Sequence, residues 1–187
     1  MSTKPRKRSV TRTIRLDGEL DQSMQGEARR LGFTLNTLYN QIAVKYIRAD
    51  RLYSGEKAVS IDPLILSNLL RSVGDREAAR IGAEAGAVHP RDLILGGGNN
   101  VDLISVLNLM NSVLSVYGSW FSCVHNEEDG AQVFFLKHGL DPVWSSFLEA
   151  YVRAMFETLL GMRVETRRTD SSLMVQATSK PVRPVET

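Results

Sequence analysis

Residues 10–16 of the chain read Val-Thr-Arg-Thr-Ile-Arg-Leu. This alternation predicts a short β-strand, which Asp17-Gly18 ends. Successive side chains of a strand point to opposite faces. Ile14 and Leu16 are therefore expected to point towards neighbouring helices, with Arg12 at the frayed start of that face. The opposite, outward face is expected to carry Thr11, Thr13 and Arg15.

The residues that follow predict two helices. Apolar residues at helical spacing indicate a first helix over residues 19–30, and Gly32 lies where a left-handed C-cap is expected. Thr34 is the predicted N-cap of a second helix that continues towards residue 52. The segment 10–52 is thus predicted to be a strand–helix–helix domain.

A segment of this size predicts its own dimerisation. About 45 residues cannot bury a sufficient core alone. A lone strand also leaves an unpaired edge that seeks a partner. Both problems are solved if two copies of the chain pair their strands into an antiparallel ribbon, with four helices packed beneath it. We therefore expect an obligate homodimer.

The outward strand face has the chemistry of a DNA-reading surface. A two-stranded ribbon fits the major groove of B-DNA, where Arg bonds guanine and Thr contacts a base edge or the thymine methyl group. Thr11, Thr13 and Arg15 provide these groups without any acidic neighbour on that face. The Thr34 hydroxyl and the backbone N–H groups of Leu35 and Asn36 are expected to hold a DNA phosphate.

Three short runs within residues 10–50 carry a family resemblance. They are the strand at residues 11–16, Arg29-Arg30-Leu31-Gly32 and the run at residues 33–39. Together they resemble the ribbon-helix-helix proteins, which include the Arc and methionine repressors. The resemblance implies base reading by the outward strand residues, backbone anchoring at Thr34, and a place for Asn36 and Thr37 near phosphate or the partner chain.

The match covers about 40 of the 187 residues and rests on short, degenerate motifs. Arg12 departs from the family pattern, because an apolar residue is common at its position, so the first ribbon pair is expected to fray or to be shorter. The alternative interpretation is an ordinary strand–helix–helix piece of a larger α/β domain.

The charge of the chain is concentrated at its start. The first 16 residues contain six basic and no acidic residues, although the formal net charge of the whole chain is only +2. Residues 1–9 are predicted to be a disordered basic arm, either a solvated terminus or a phosphate-binding segment. The phosphate-binding hypothesis assigns this role to Lys4, Arg6, Lys7 and Arg8.

The rest of the chain predicts a larger α+β domain. Residues 53–98 are interpreted as a linker and helical connector, with helices over 62–72 and 75–87. The Gly96-Gly97-Gly98 triplet lacks the Gly-Lys-Ser/Thr of a phosphate loop and is interpreted as a hinge or turn. Residues 99–178 predict two long helices and two β-hairpins, and residues 179–187 a disordered tail. The fold class expected is therefore α+β.

Candidate chemistry in this larger domain is sparse. Cys123, His125 and His138 are expected to share one sheet face, and with His89 they are the candidates for a metal or redox sensor. A small buried hydrophobe and solvated histidines are the alternative. Aromatic residues of the last long helix are interpreted as core, with a ligand cavity as the alternative; these are Trp144, Phe147, Tyr151 and Phe156.

No catalytic motif or cofactor fingerprint is present, so the sequence predicts a non-enzyme without a cofactor. One cysteine, no apolar run of about 18 residues and no secretory signal favour a cytoplasmic, nucleoid-associated protein without a membrane partner.

The function predicted is a transcriptional regulator that inserts the ribbon of a dimer into double-stranded DNA. Its C-terminal domain is expected either to oligomerise, extending dimers to tetramers, or to sense a small-molecule effector of unknown identity. Two alternatives remain open at this point. One is an antitoxin or adaptor with a protein-binding C-terminal domain, and the other is an architectural or plasmid-maintenance DNA-binding protein.

Overall fold

The computed structural model of the chain describes residues 10–53 and 59–179. The chain divides into two compact units, residues 1–44 and residues 45–187. The predicted basic arm over residues 1–9 lies outside the described residues, and so does nearly all of the predicted tail. Part of the predicted linker lies outside them as well.

The first unit contains helix α1 (Gly18–Leu31) and most of helix α2 (Leu35–Arg48). The Asp17 carboxylate accepts hydrogen bonds from the first turn of α1. Gly32 ends α1 with a φ of 69°, a left-handed conformation that glycine adopts without steric cost. Both helices were predicted, and their bounds are close to those expected.

Residues 10–17 form neither helix nor strand in the described chain, so the strand predicted there is not formed. A β-ladder needs a second strand for its hydrogen bonds. The prediction assigned that second strand to another copy of the chain.

The second unit begins with the end of α2 and has an α+β fold. Its further elements, in chain order, are a 3₁₀ turn (Asp50–Tyr53), α3 (Pro63–Val73), α4 (Asp75–Gly96), α5 (Leu103–Asn108), which continues as a π-helix (Leu109–Tyr117), β1 (Ser122–Glu128), β2 (Ala131–Lys137), α6 (Pro142–Leu160), β3 (Arg163–Arg168) and β4 (Ser172–Thr178). No helix within residues 10–53 and 59–179 is long and apolar enough to cross a membrane.

The four strands form one antiparallel sheet in the order β1-β2-β4-β3. Asp129 and Gly130 join β1 to β2 with φ values of 50° and 76°, which are typical of a two-residue type I′ turn. Both predicted hairpins are therefore confirmed. One face of the sheet packs on α6 and forms the core with it, through Phe134, Val175 and Phe156.

Helix α4 packs closely along α6. A Cβ atom added at Gly82 would lie 2.3 Å from the carbonyl oxygen of Phe147, and one added at Gly86 would lie 2.2 Å from that of Tyr151. Only glycine lets the two backbones approach to this distance. The sequence interpretation placed this segment in a connector, whereas the structure makes α4 a wall of the second unit.

The structure also makes α4 longer than predicted. The pattern indicated an end near residue 87, but the helix runs to Gly96 with Pro90 inside it. Proline removes one helical hydrogen bond and costs about 3 kcal/mol in a helix interior. The next turn buries Leu93 and Ile94, and burying one such side chain contributes about 1.5–3 kcal/mol. Tertiary burial thus offsets the local cost of the proline.

Candidate nucleic-acid interface

The predicted base-reading residues lie on exposed backbone. Thr11, Thr13 and Arg15 are all exposed. No hydrogen bond or ion pair of Arg15 is found within the described part of the chain. The predicted inner residues Ile14 and Leu16 are exposed too, by 62% and 38%. A single chain therefore does not cover either face of this segment.

The start of α2 has the geometry expected of an N-cap. The Thr37 amide donates to the Thr34 hydroxyl oxygen at 3.1 Å, and the Leu38 amide donates to the Thr34 carbonyl at 3.0 Å. The prediction of Thr34 as the cap is confirmed. Neither the Leu35 nor the Asn36 amide has an acceptor among residues 10–53 and 59–179. These two donors lie at the positive end of the helix dipole, an arrangement that suits an anionic oxygen.

Net charge does not single out this unit. Residues 10–44 contain four arginines and four acidic residues. Arg30 donates through Nε to Glu27 at 2.7 Å, and this contact lowers the pKa of the Glu27 carboxyl. The Arg30 guanidinium is thereby engaged. Residues 10–16 contain Arg12 and Arg15, which form no ion pair with any described residue. Their positive charges therefore remain available to a ligand.

The apolar side chains of the first unit are mostly uncovered. Within residues 10–44 only Ala28 and Leu38 are buried hydrophobic residues. Eight large hydrophobic residues in the same range are between 38% and 62% exposed: Val10, Ile14, Leu16, Leu20, Leu31, Phe33, Ile42 and Val44. We call these eight residues the uncovered apolar set. The first unit has no closed core of its own.

A buried hydroxyl in the same unit also lacks a partner. The Tyr39 oxygen, on α2, has no hydrogen bond within the described ranges although it is inaccessible to solvent. An unsatisfied buried polar group costs about 1–3 kcal/mol.

The predicted sensor residues are only partly brought together. Cys123 donates through its thiol to Asn111 at 3.3 Å, and the same amide lies 3.5 Å from His125. The other ring nitrogen of His125 bonds the buried Gln132 at 2.7 Å. Burial raises the pKa of the Cys123 thiol to about 11, so the thiolate that binds metals is disfavoured.

His138 follows Lys137, the last paired residue of β2, and its side chain bonds a residue of α6. Its Nε2 atom lies 2.7 Å from the hydroxyl of Ser145 on α6. No group of three or more His, Cys, Asp or Glu residues within metal-binding reach occurs among the described residues. The three candidates instead form two separate hydrogen-bonded contacts.

The aromatic residues of α6 that were interpreted as core differ in their surroundings. Tyr151 and Phe156 are fully buried, which confirms their interpretation as core. Trp144 also lines a cavity, next to Tyr53 and Trp120. The sequence interpretation missed Tyr53 and Trp120 because no periodic signal links residues so far apart in the chain.

Comparison with known proteins adds no family to these observations. No protein-family model matches the chain, and no curated protein matches it.

Proposed function

We propose that the chain is a sequence-specific DNA-binding regulator that acts as a ribbon-helix-helix homodimer. The observation that carries this proposal is the uncovered apolar set of residues 10–44. A second copy that pairs along residues 10–16 would cover Ile14 and Leu16 and supply the missing strand at once.

In the proposed dimer the outward residues Thr11, Thr13 and Arg15 enter the major groove. Arg15 bonds a guanine, and the two threonines contact neighbouring base edges. The amides of Leu35 and Asn36, beside the Thr34 cap, hold a backbone phosphate and set the register of the ribbon on the duplex. Phosphate contacts thus position the protein, and strand contacts select the sequence.

The basic arm extends this interface in the proposal. Lys4, Arg6, Lys7 and Arg8, which lie outside the described residues, contact flanking phosphates. Each phosphate contact adds about 0.9 to the slope of log affinity against log salt. The second unit either assembles dimers into tetramers or senses a ligand, and we propose no catalytic role for it.

The decisive experiment selects bound sequences from a random DNA pool and then measures affinity for variants. Arg15→Ala is expected to weaken the free energy of DNA binding by about 1–3 kcal/mol. It is also expected to relax the base preference at one position of the DNA site. Arg91→Ala in the second unit makes the same charge change at another exposed arginine and is the matched control. It is expected to leave affinity and preference unchanged.

Deletion of residues 1–9 is expected to lower the affinity for all DNA sequences by a similar factor. It is also expected to reduce the slope of log affinity against log salt. A folded dimer that binds no DNA would overturn the proposal. Binding without sequence preference would instead support an architectural role. Equal losses for Arg15→Ala and Arg91→Ala would remove the assigned base contact.

A further inference from the structure

The sheet of the second unit has two different faces. Phe134, Leu136 and Val175 belong to the core that the sheet forms with α6. Successive residues of a strand point to opposite faces, so Phe135 and Met174 point away from that core. We call this side the outer face; its strand residues are Ser122, Val124, Asn126, Glu128, Ala131, Val133, Phe135, Lys137, Arg163, Glu165, Arg167, Ser172, Met174, Gln176 and Thr178.

One row of the outer face is apolar. The register places Val124, Phe135 and Met174 side by side on β1, β2 and β4, and Arg167 of β3 continues the row. Val124 is 59% exposed and Phe135 is 48% exposed, and all four residues line one shallow groove. An apolar centre with charge at its margin is typical of a protein interface.

The cations at this end of the outer face lack a partner. Arg167 ends the apolar row, and Lys137 lies two residues beyond Phe135 on β2. Neither side chain forms a hydrogen bond or an ion pair within residues 10–53 and 59–179. A surface that covers the apolar row is therefore expected to bring acids to Lys137 and Arg167, because an unpaired charge is costly to bury.

The acids of the same face lie towards the opposite ends of the strands. Glu128 is in register with Ala131 at the hairpin, and Glu165 lies opposite Gln176. Arg163 bonds Glu165 at 3.0 Å, but a carboxylate has two oxygens and accepts further donors. A rotation that exchanges the ends of the strands therefore brings acids to the free cations.

From this pattern we infer that two copies of the chain pack their outer faces together about a two-fold axis. The axis lies between the two sheets and crosses the strands near their middle. Arg167 of each copy then faces Glu165 of the other, and Lys137 lies beside Glu128 of the other. Both free cations thus gain an acid from the second copy.

The apolar residues fit the same arrangement. Phe135 of each copy meets Val133 of the other. Phe135 is 48% exposed and Val133 only 7%, so a projecting ring meets a recessed side chain. Sheets that pack face to face lie about 10 Å apart with their strands within about 30° of alignment, and this axis is compatible with both values.

The alternative two-fold axis, parallel to the strands, leaves the cations unsatisfied. It would place Arg167 against Val124 of the other copy and Lys137 against Ser172. Neither of these two residues offers a carboxylate. The charges therefore select the axis that crosses the strands.

Other occupants complement the outer face less well. Residues 180–187 of the chain contain two basic residues and one acid, so they would add positive charge beside Lys137 and Arg167. A different protein with an acidic patch would pair with these cations but would oppose Glu128 and Glu165. A second copy of the chain supplies both signs of charge in matching places.

The size of the outer face sets the strength of the contact. Its four strands have six or seven residues each. Strands about 4.8 Å apart with a rise of about 3.3 Å per residue cover about 19 Å by 23 Å, or about 440 Å² of each copy. A standard stable interface buries about 800 Å² of each partner. We therefore expect a dissociation constant of about 10–100 μM for this contact alone.

The number of chains in the assembly rests on the proposed function. A dimer held by the first unit presents two outer faces, and two such dimers form a tetramer. The contact between outer faces does not itself require DNA binding. The inference thus identifies the surface by which the second unit joins dimers.

The test is sedimentation equilibrium of the full chain up to about 200 μM, which spans the expected dissociation constant. The wild type is expected to pass from dimer to tetramer over this range. Arg167→Glu opposes Glu165 of the other copy with a like charge and is expected to raise the dissociation constant of the tetramer at least about tenfold. Arg91→Glu makes the same charge change at an exposed arginine of α4 and is expected to behave like the wild type.

A charge exchange tests the pairing itself. The double variant Glu165→Arg with Arg167→Glu again joins opposite charges across the axis and is expected to recover tetramer formation. Circular dichroism checks that each variant is folded. The wild-type concentration series decides the inference if a variant does not fold.

The variant Ile14→Asp separates this inference from the proposed dimer of the first unit. It is expected to form dimers near 200 μM through the outer faces, and its combination with Arg167→Glu is expected to be monomeric. A wild type that stays dimeric up to about 200 μM would overturn the inference and leave the first-unit dimer in place. Assembly that is unaffected by Ile14→Asp but lost in Arg167→Glu would support the inference and contradict the first-unit dimer.

Two further results would overturn the inference. One is an equal shift of the dissociation constant in Arg167→Glu and Arg91→Glu. The other is a double variant that associates no better than Arg167→Glu alone.

Discussion

His138 joins the end of β2 to α6 inside the second unit. The residue is only 6% exposed, and its Nε2 atom contacts the Ser145 hydroxyl. Its Nδ1 atom has no hydrogen-bond partner in the described part of the chain. Burial lowers the pKa of His138 below its ordinary value of 6.5, because the charged imidazolium is poorly solvated there.

The lowered pKa predicts acid sensitivity. Between the folded pKa and 6.5 the unfolded chain binds more protons at this residue, so stability is complete above pH 6.5 and declines below it. We expect His138→Gln to cost about 1–3 kcal/mol at pH 7.5 and to flatten the decline between about pH 6.5 and 5. Urea unfolding at several pH values measures both effects. An unchanged pH slope in the variant would contradict the assignment.

The contact between α4 and α6 depends on glycine at two positions. Gly82 and Gly86 are one turn apart and both face α6, where an added Cβ would meet backbone rather than a movable side chain. Backbone cannot give way as a flexible side chain does. This element is therefore more sensitive to added volume than its alanine-rich composition suggests.

We expect Gly86→Ala to destabilise the second unit by about 1–3 kcal/mol or more, as overpacking does. Gly26→Ala is the matched control, because Gly26 lies inside α1 and a Cβ there would meet nothing within 4 Å. Glycine is less favourable than alanine in a helix by about 0.5–1 kcal/mol, so the control is expected to stabilise slightly. Calorimetry measures the stability of both variants. Equal changes in stability would contradict the close approach of the α4 and α6 backbones at Gly86.

We propose that assembly of the whole protein depends on residues 10–44. Their uncovered apolar set contrasts with the second unit, whose core buries large side chains such as Tyr151, Phe134 and Leu148. When a second copy covers apolar residues that were exposed to water, the free energy of the system falls, so association is favoured. The first unit is thus expected to bury its uncovered apolar set only when two chains associate.

The corresponding prediction concerns Ile14. Ile14→Asp is expected to weaken dimerisation at least about tenfold, because it removes apolar burial and introduces a charge. Ile104→Asp changes an isoleucine of the second unit that is 78% exposed and is the matched control. Sedimentation equilibrium measures both. A wild-type monomer at micromolar concentration, or equal effects of the two variants, would contradict the proposed dimer.

Local sequence signals predicted most elements of the fold. The caps at Thr34 and Asp62 and the Asp129-Gly130 turn each act through contacts within a few residues. Such signals need no knowledge of the rest of the chain. The predicted base-reading residues are likewise a local pattern, and their function remains a prediction.

Other features depended on contacts between distant residues. The close approach of Gly86 to Tyr151 on α6 and the edge-to-face contact of Trp120 with Trp144 join residues that are far apart in the chain. The sequence alone therefore determined the helix cap at Thr34 and the hairpin turn at Asp129-Gly130, which follow from local backbone and side-chain energetics. The continuation of α4 through Pro90 and the different hydrogen-bond partners of Cys123 and His138 were decided by packing, because burial energy and close contact arise only when distant segments meet.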